Sequence, residues 1–200
     1  MTDLKVSPTY FDLHQDLYRS HWERAVGYES HVAGGKEPQI ARWRNHEAAV
    51  RLDNGHRARL SGFVRAMRLL CMSGVWCGDC ARLGPVLHAI AGVTPGLELR
   101  FLDRDSHPEL RDLLRIAGAA RVPNTLILSE DFFLVDRLGD RALATYRRMA
   151  AEKLGPACPT GIGPPPADEL AAVTDELVDD LERAQLTLRL SPMLRQRYGD

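Results

Sequence analysis

Much that would announce a chemistry is missing from this sequence. Its 200 residues hold only 4 cysteines, too few for a disulfide framework. A chain this long buries a core without such staples, and a reducing compartment would not maintain them. There is no second Cys-x-x-Cys and no paired-histidine motif at finger spacing, so no four-ligand zinc site is complete. A glycine-rich phosphate loop, a Ser/His/Asp constellation and internal repeats are also lacking. Neither sign of charge dominates: 26 Lys+Arg against 27 Asp+Glu give a formal net charge of −1. Nucleic acid and acidic membrane surfaces favour a marked basic excess, so neither is an expected partner. No apolar run approaches the roughly 20 residues of a membrane helix. The first residues, MTDLKVSPTYFDLHQDL, carry no basic stretch followed by an apolar core. The expectation is a cytoplasmic protein without a signal peptide.

What remains is an ordinary globular composition, 44% hydrophobic and 26% charged, of a size for one domain with additions. Phe11, Leu13, Leu17, Trp22, Ala25 and Val26 recur at helical spacing, which predicts one amphipathic helix from 9 to about 30. GGKEP interrupts it. A second helical pattern runs through Ile40, Trp43, Ala48, Val50 and Leu52 until DNG at 53–55 breaks it. From residue 67 the pattern changes to strand (67–74), helix from Gly78 with Pro85 inside it, and strand (97–105). A short helix, two strands around SED (124–138) and a helix (140–154) complete the order. Five prolines and three glycines between 155 and 166 mark a loop. Leu170, Val173, Leu177, Leu181 and Leu188 then predict a C-terminal helix that packs back on the domain. The expected division is a helical N-terminal extension (1–59), an α/β domain (60–154), a Pro/Gly-rich loop (155–167) and a C-terminal helix and tail (168–200).

The chemistry concentrates in SGVWCGDCARLGPVL, residues 73–87. Cys77 falls where a strand ends and a helix begins. There its sulfur meets unpaired backbone N–H groups and the positive end of the helix dipole. Both favour the thiolate, the species that attacks a disulfide. Cys80, one turn on, stands near enough to resolve a mixed disulfide, and the helix should shield it more than Cys77. Asp79, between them, adds a negative charge that opposes the Cys77 thiolate, or alternatively serves as base for Cys80. Cys71 reads as a small buried hydrophobe and Cys158 as a bystander. His14 and His21 read as surface or capping residues, His88 as a surface residue, and Ser106–His107–Pro108 as a helix start. Asp103 and Asp105 read as solvated turn residues.

Around this pair the sequence resembles the thioredoxin superfamily over about residues 60–153. Trp76 directly precedes the first cysteine, and Pro85 stands 85 − 77 = 8 positions after it, where the family kinks its helix. RVPNTLIL places Pro123 before a strand, 123 − 77 = 46 positions on, like the family's cis-proline loop. WCGDC, with DRLGDR after the hairpin, is similar to bacterial thioredoxin-like proteins with a tryptophan-cysteine-x-aspartate-cysteine centre. The resemblance implies a thioredoxin fold, a central mixed β-sheet flanked by helices, and thiol–disulfide exchange without a bound cofactor. It implies catalytic Cys77, Cys80 and Asp79, and substrate binding at Trp76, Gly78, Val122 and Pro123. The implied partners are disulfide-containing proteins and a separate reductase or thiol donor. Two family features are missing. The buried aspartate six residues before the first cysteine is Cys71 here, and the lysine of the next strand has no counterpart. Two alternatives stand beside exchange: a non-catalytic thioredoxin-like binding module, and a scaffold whose cysteines ligate a metal or an iron–sulfur cluster.

Overall fold

The structure, a computed structural model, describes residues 10–154 and 163–199. Cys158 and most of the expected proline-rich loop lie outside the described residues. Four strands, β1 (Met67–Ser73), β2 (Leu97–Asp103), β3 (Asn124–Ser129) and β4 (Leu134–Leu138), form one mixed sheet in the order β2-β1-β3-β4. β1 and β3 are central. A strand covered on both faces needs apolar side chains at nearly every position, which MRLLCMS and NTLILS largely supply. Met67 and Leu69 enter one core, and Leu70 and Met72 the other.

β1 and β2 run parallel, and a parallel pair needs a long crossover. Helix α5 (Gly78–Val93) is that crossover and continues through Pro85. β3 and β4 form the expected antiparallel hairpin. Its turn places Phe132 at φ 66, held by Ser129 Oγ, which accepts from the N–H groups of Asp131 and Phe133. The expected mixed sheet flanked by helices is thus present.

Before β1 come α1 (Gln15–Arg24), α2 (Tyr28–Ala33), α3 (Glu37–Ala49) and α4 (Asn54–Ser61). Where one helix to about residue 30 was expected, there are two. Between them Val26 exchanges both backbone hydrogen bonds with Phe101, at 2.9 and 2.7 Å, and so covers the open edge of β2. DNG also does more than break a helix. The Asp53 side chain accepts from His56 N–H at 2.8 Å and starts α4. Trp43 of α3 is fully buried against Gly84 of α5, where a Cβ would stand 2.3 Å from its ring. Only glycine admits so close an approach.

α6 (Pro108–Leu113) follows β2, and α7 (Leu143–Leu154) follows β4. The C-terminal helix α8 (Glu169–Leu190) packs back as expected, burying Val173, Leu177, Val178, Leu181 and Leu188 with α5 and α4 residues in one core. At about 2 kcal/mol per buried aliphatic side chain, that stripe holds the helix in place. Gln185 adds polar anchorage, accepting from the N–H of Arg65 at 2.7 Å and donating to its carbonyl at 3.0 Å. The expected tail is partly a further helix, α9 (Pro192–Tyr198), capped by Ser191. Among the described residues no helix is long and apolar enough to cross a membrane.

Candidate active site at the start of the first crossover helix

Cys77 is the N-cap of α5, with extended backbone (φ −79, ψ 128). Its sulfur accepts from Cys80 N–H at 3.4 Å, and its thiol reaches the Val122 carbonyl at 3.5 Å. The Val122–Pro123 peptide is cis. Cys77 is half-buried, whereas Cys80 is 1% exposed. The Cys77 proton is held weakly. The Cys80 thiol bonds to its thiolate most strongly, and the N–H groups of Cys80 and Asp79 add to this against partial burial and the Asp79 charge. The net effect lowers Cys77 to about 6. Cys80 moves far the other way, through burial first and then the neighbouring Cys77. Cys71 is completely buried and pushed up to about 12, chiefly by burial, as expected of a structural thiol.

The rim is built by neighbouring elements. Trp76 is 40% exposed and lies over Gly74, where a Cβ would stand 2.5 Å from the indole. The Arg104 guanidinium sits 4.5 Å from the Trp76 ring centre. Gly78 is exposed, with Arg42 near it. Val122 and Pro123 are buried, so what they offer is backbone. Asp79 does not stand alone. Arg141, the last residue of DRLGDR, pairs with it at 2.5 Å and is shared with Asp140 at 2.8 Å. The sequence hinted at this only as a motif beyond the hairpin.

Behind the cysteines the N-terminal helices hold the loop. Trp43 Nε1 donates to the Val75 carbonyl at 2.9 Å, and His31 Nε2 meets Ser73 Oγ at 3.1 Å, with both residues buried. Neither contact is legible in sequence, where Trp43 is one apolar residue of a helix and His31 stands out in no motif. His21, expected as a surface or capping residue, is 1% exposed. Its ring packs edge-on against His107 at 5.4 Å, and Nδ1 meets the Leu17 carbonyl at 2.9 Å. His88 is half-buried, stacked on Tyr28 at 4.0 Å. Asp103 serves the turn after β2, accepting from Asp105 N–H at 3.0 Å and Ser106 N–H at 3.1 Å.

Among the described residues the only three-donor grouping with metal-ligand spacing is Glu29, Glu47 and His88, which does not include the cysteines. Arg44 already bridges both of its carboxylates.

A thioredoxin family model matches residues 28–153, more than half of the sequence. The chain belongs to the thioredoxin family. The match begins in α2 and includes His31, Trp43, both cysteines and Pro123. Two solved structures share this thioredoxin-family protein's fold. One is a protein of unknown function from Pseudomonas aeruginosa, 20% identical, covering 84% of this chain and 95% of that one with a TM-score of 0.63. The other is an HIV epitope-scaffold, 18% identical, covering 84% of this chain and 96% of its own with a TM-score of 0.64. No curated protein is matched by the sequence.

Proposed function

We propose that this thioredoxin-family protein is a thiol–disulfide oxidoreductase of the Trp-Cys-Gly-Asp-Cys type that reduces disulfides of partner proteins in the cytoplasm. The observation that carries the reading is the asymmetry of the pair. One sulfur is half-exposed at a helix N-cap with lowered proton affinity, and the other is buried one turn on with raised affinity. Cys77 thiolate attacks a substrate disulfide. One S–S bond breaks, a mixed disulfide forms, and the first substrate thiolate leaves and takes a proton from water. Cys80 then attacks Cys77 Sγ, the second substrate thiolate leaves, and a Cys77–Cys80 disulfide remains. Two electrons pass to the substrate, and a separate reductase or small thiol returns them. No cofactor is required. Trp76, Gly78 and the backbone of Val122 and Pro123 form the rim that an extended substrate meets, and Asp79 with Arg141 tunes the charge beside Cys77.

Insulin reduction by the protein with a thiol donor tests this. The expected result is catalysis by the wild type and none by Cys77→Ser. Equal, background rates for both would favour a binding module. A Cys77–Cys80 potential near about −270 mV accompanies a reductant, and one above about −150 mV would reverse the direction of exchange.

A further inference from the structure

Asp79 and Arg141 also line a cleft of about 400 Å³ that the exchange chemistry does not use. Its floor is apolar: Leu83 of α5, Ala142 just before α7, and Leu170 and Val173 of α8. The family match ends at residue 153, so half of that floor comes from a helix beyond it. The carboxylates of the cleft are already held. Asp79 pairs with Arg141, and Asp140 with Arg141 and Arg121. Glu169 takes Arg148 at 2.6 Å and the Thr145 hydroxyl at 2.7 Å. Positive charge is left over at the mouth. Arg82 is exposed and comes no nearer to Glu169 than 4.0 Å. Arg42 of α3 is also exposed, and among the described residues no carboxylate pairs with it. Its guanidinium stands 3.9 Å from where a Cβ on Gly78 would lie, beside the residue that follows Cys77. His46, one turn after Arg42, lines the cleft, and the charges of both arginines bear on it.

We propose that this cleft reads the substrate chain beside its disulfide and selects an acidic segment, whose carboxylates meet Arg42 and Arg82 and whose apolar side chain enters the cleft. The proposal names a substrate class for the exchange reading and rests on it. Charge complementarity supplies the acidic half: two arginines in excess at the mouth attract carboxylates and repel lysine. The floor supplies the apolar half, since covering it removes apolar surface from water.

Two features favour a protein segment over a free small molecule. The cleft continues the rim of the cysteine pair: a chain crossing Gly78 meets Arg42, and Asp79, the next residue, already lines the cleft. The spare cations also stand exposed at the mouth, where a passing chain reaches them, and not inside, where a small anion would need them.

Reduction of symmetric peptide disulfides, with dithiothreitol as donor, tests this. Each peptide carries one cysteine between four-residue flanks that hold one leucine and otherwise glutamate, glutamine or lysine. The readout is the ratio of kcat/KM for glutamate over lysine flanks within each variant, in which any change in Cys77 reactivity cancels. An exposed ion pair contributes about 1.4- to 5-fold, so two arginines should give the wild type a ratio of about 10. The difference should lie in KM, with glutamine flanks between, and should shrink towards 1 at about 0.5 M salt. Arg42→Glu with Arg82→Glu should invert the ratio. Arg183→Glu, the same charge change in the far half of α8, should leave it at the wild-type value. Replacing the peptide leucine by glycine should cost the wild type about 5-fold, and Leu170→Gln should reduce that cost. If Leu170→Gln does not fold, the wild-type comparison of the two peptides decides. Equal rates for all flanks would overturn the proposal and leave the exchange reading intact. A charge preference indifferent to the leucine would overturn the part assigned to the cleft. A wild type that reduces neither the peptides nor hydroxyethyl disulfide, which has no flanks, would overturn both readings.

Discussion

Replacing Cys80 probes the assignment of Cys77 as nucleophile most directly. With Cys77 lowered to about 6, some ten molecules in eleven carry the thiolate at pH 7. At an ordinary cysteine value of about 8.5 the fraction is about one in thirty. The population gain of about 30-fold is largely offset, because nucleophilicity falls with basicity by a Brønsted factor of about 0.4–0.5, here about tenfold or slightly more. A rate at one pH therefore decides little, and the position of the titration decides much. The largest contribution comes from the Cys80 thiol bonding to the Cys77 thiolate. A hydrogen bond to an ion contributes about 1.5–3 kcal/mol, and half-exposure of Cys77 puts this one at the low end. Cys80→Ala should therefore raise the Cys77 titration by about one pH unit. It should not restore the ordinary value, because the N–H groups of residues 79 and 80 remain, the latter 3.4 Å from the sulfur. Cys80→Ser keeps a donor and should titrate close to wild type. Ultraviolet absorbance of the thiolate against pH, checked by iodoacetamide alkylation rates, measures both. An alanine variant titrating with the wild type would remove Cys80 as the stabilising group. A wild type titrating above about 8 would refute the N-cap argument itself.

Asp79→Asn should lower the Cys77 titration by less than about one pH unit, since Arg141 already damps the Asp79 charge. Arg141→Leu should raise it, and shifts of the opposite sign in the same absorbance titration would show that the pair does not act on Cys77. Gly84→Ala should destabilise by about 1–3 kcal/mol in urea, despite alanine's better helix propensity, because the Cβ meets the buried Trp43 ring at 2.3 Å. Gly74→Ala meets Trp76, which is exposed enough to swing away. It should cost less stability but slow insulin reduction, and equal stability losses in the two variants would contradict this contrast. His31 is held at about 4 against about 6.5 unfolded, so its depressed folded value contributes stability in full above about pH 6.5. That contribution, about 3 kcal/mol, is lost as pH falls through about 4. Denaturant titrations at neutral and acid pH should show a shallower acid loss in His31→Gln, and an unchanged slope would mean His31 charges as easily folded as unfolded.

Much of the α/β part was legible because its signals are local. MRLLCMSG is a short apolar run that ends where Gly78 opens a helix, and LELRFLD alternates along the edge strand β2. NTLILS and LVDRL flank a turn whose Ser129 binds its own loop. What failed to show depends on partners distant in sequence or on residues with two uses. The break after α1 is fixed by Val26 pairing with Phe101, and nothing near Val26 announces it. Asp53 reads as a turn former, yet the same side chain caps α4, since short polar residues suit both positions. Ser191 closes α8 and opens α9 in the same way. His21 read as a surface or capping residue, but its helix turns it against His107. The cysteine spacing itself carried the asymmetry of the pair, whereas the Arg141 partner of Asp79 needed the sheet to bring it there.

The N-terminal helices bear on the site in a way their composition hides. The Ser73 hydroxyl acts on Cys80 to lower its proton affinity, and Cys71 stands where the family has a buried carboxylate. A carboxylate beside Cys71 would need its own partner in that apolar layer, or it would raise its own proton affinity and cease to be an anion. A neutral imidazole carries no such cost, provided its ring is held and one nitrogen has a partner. Phe101, Trp43 and Ser73 meet those conditions, and Trp43 simultaneously fixes the Val75 carbonyl in the loop that presents Cys77. Gly84 allows Trp43 its place. One helix pair, α2 and α3, thus supplies both the rigidity of the cysteine loop and the polar group behind it. Loosening that pair should displace the loop that presents Cys77 before it affects the sheet.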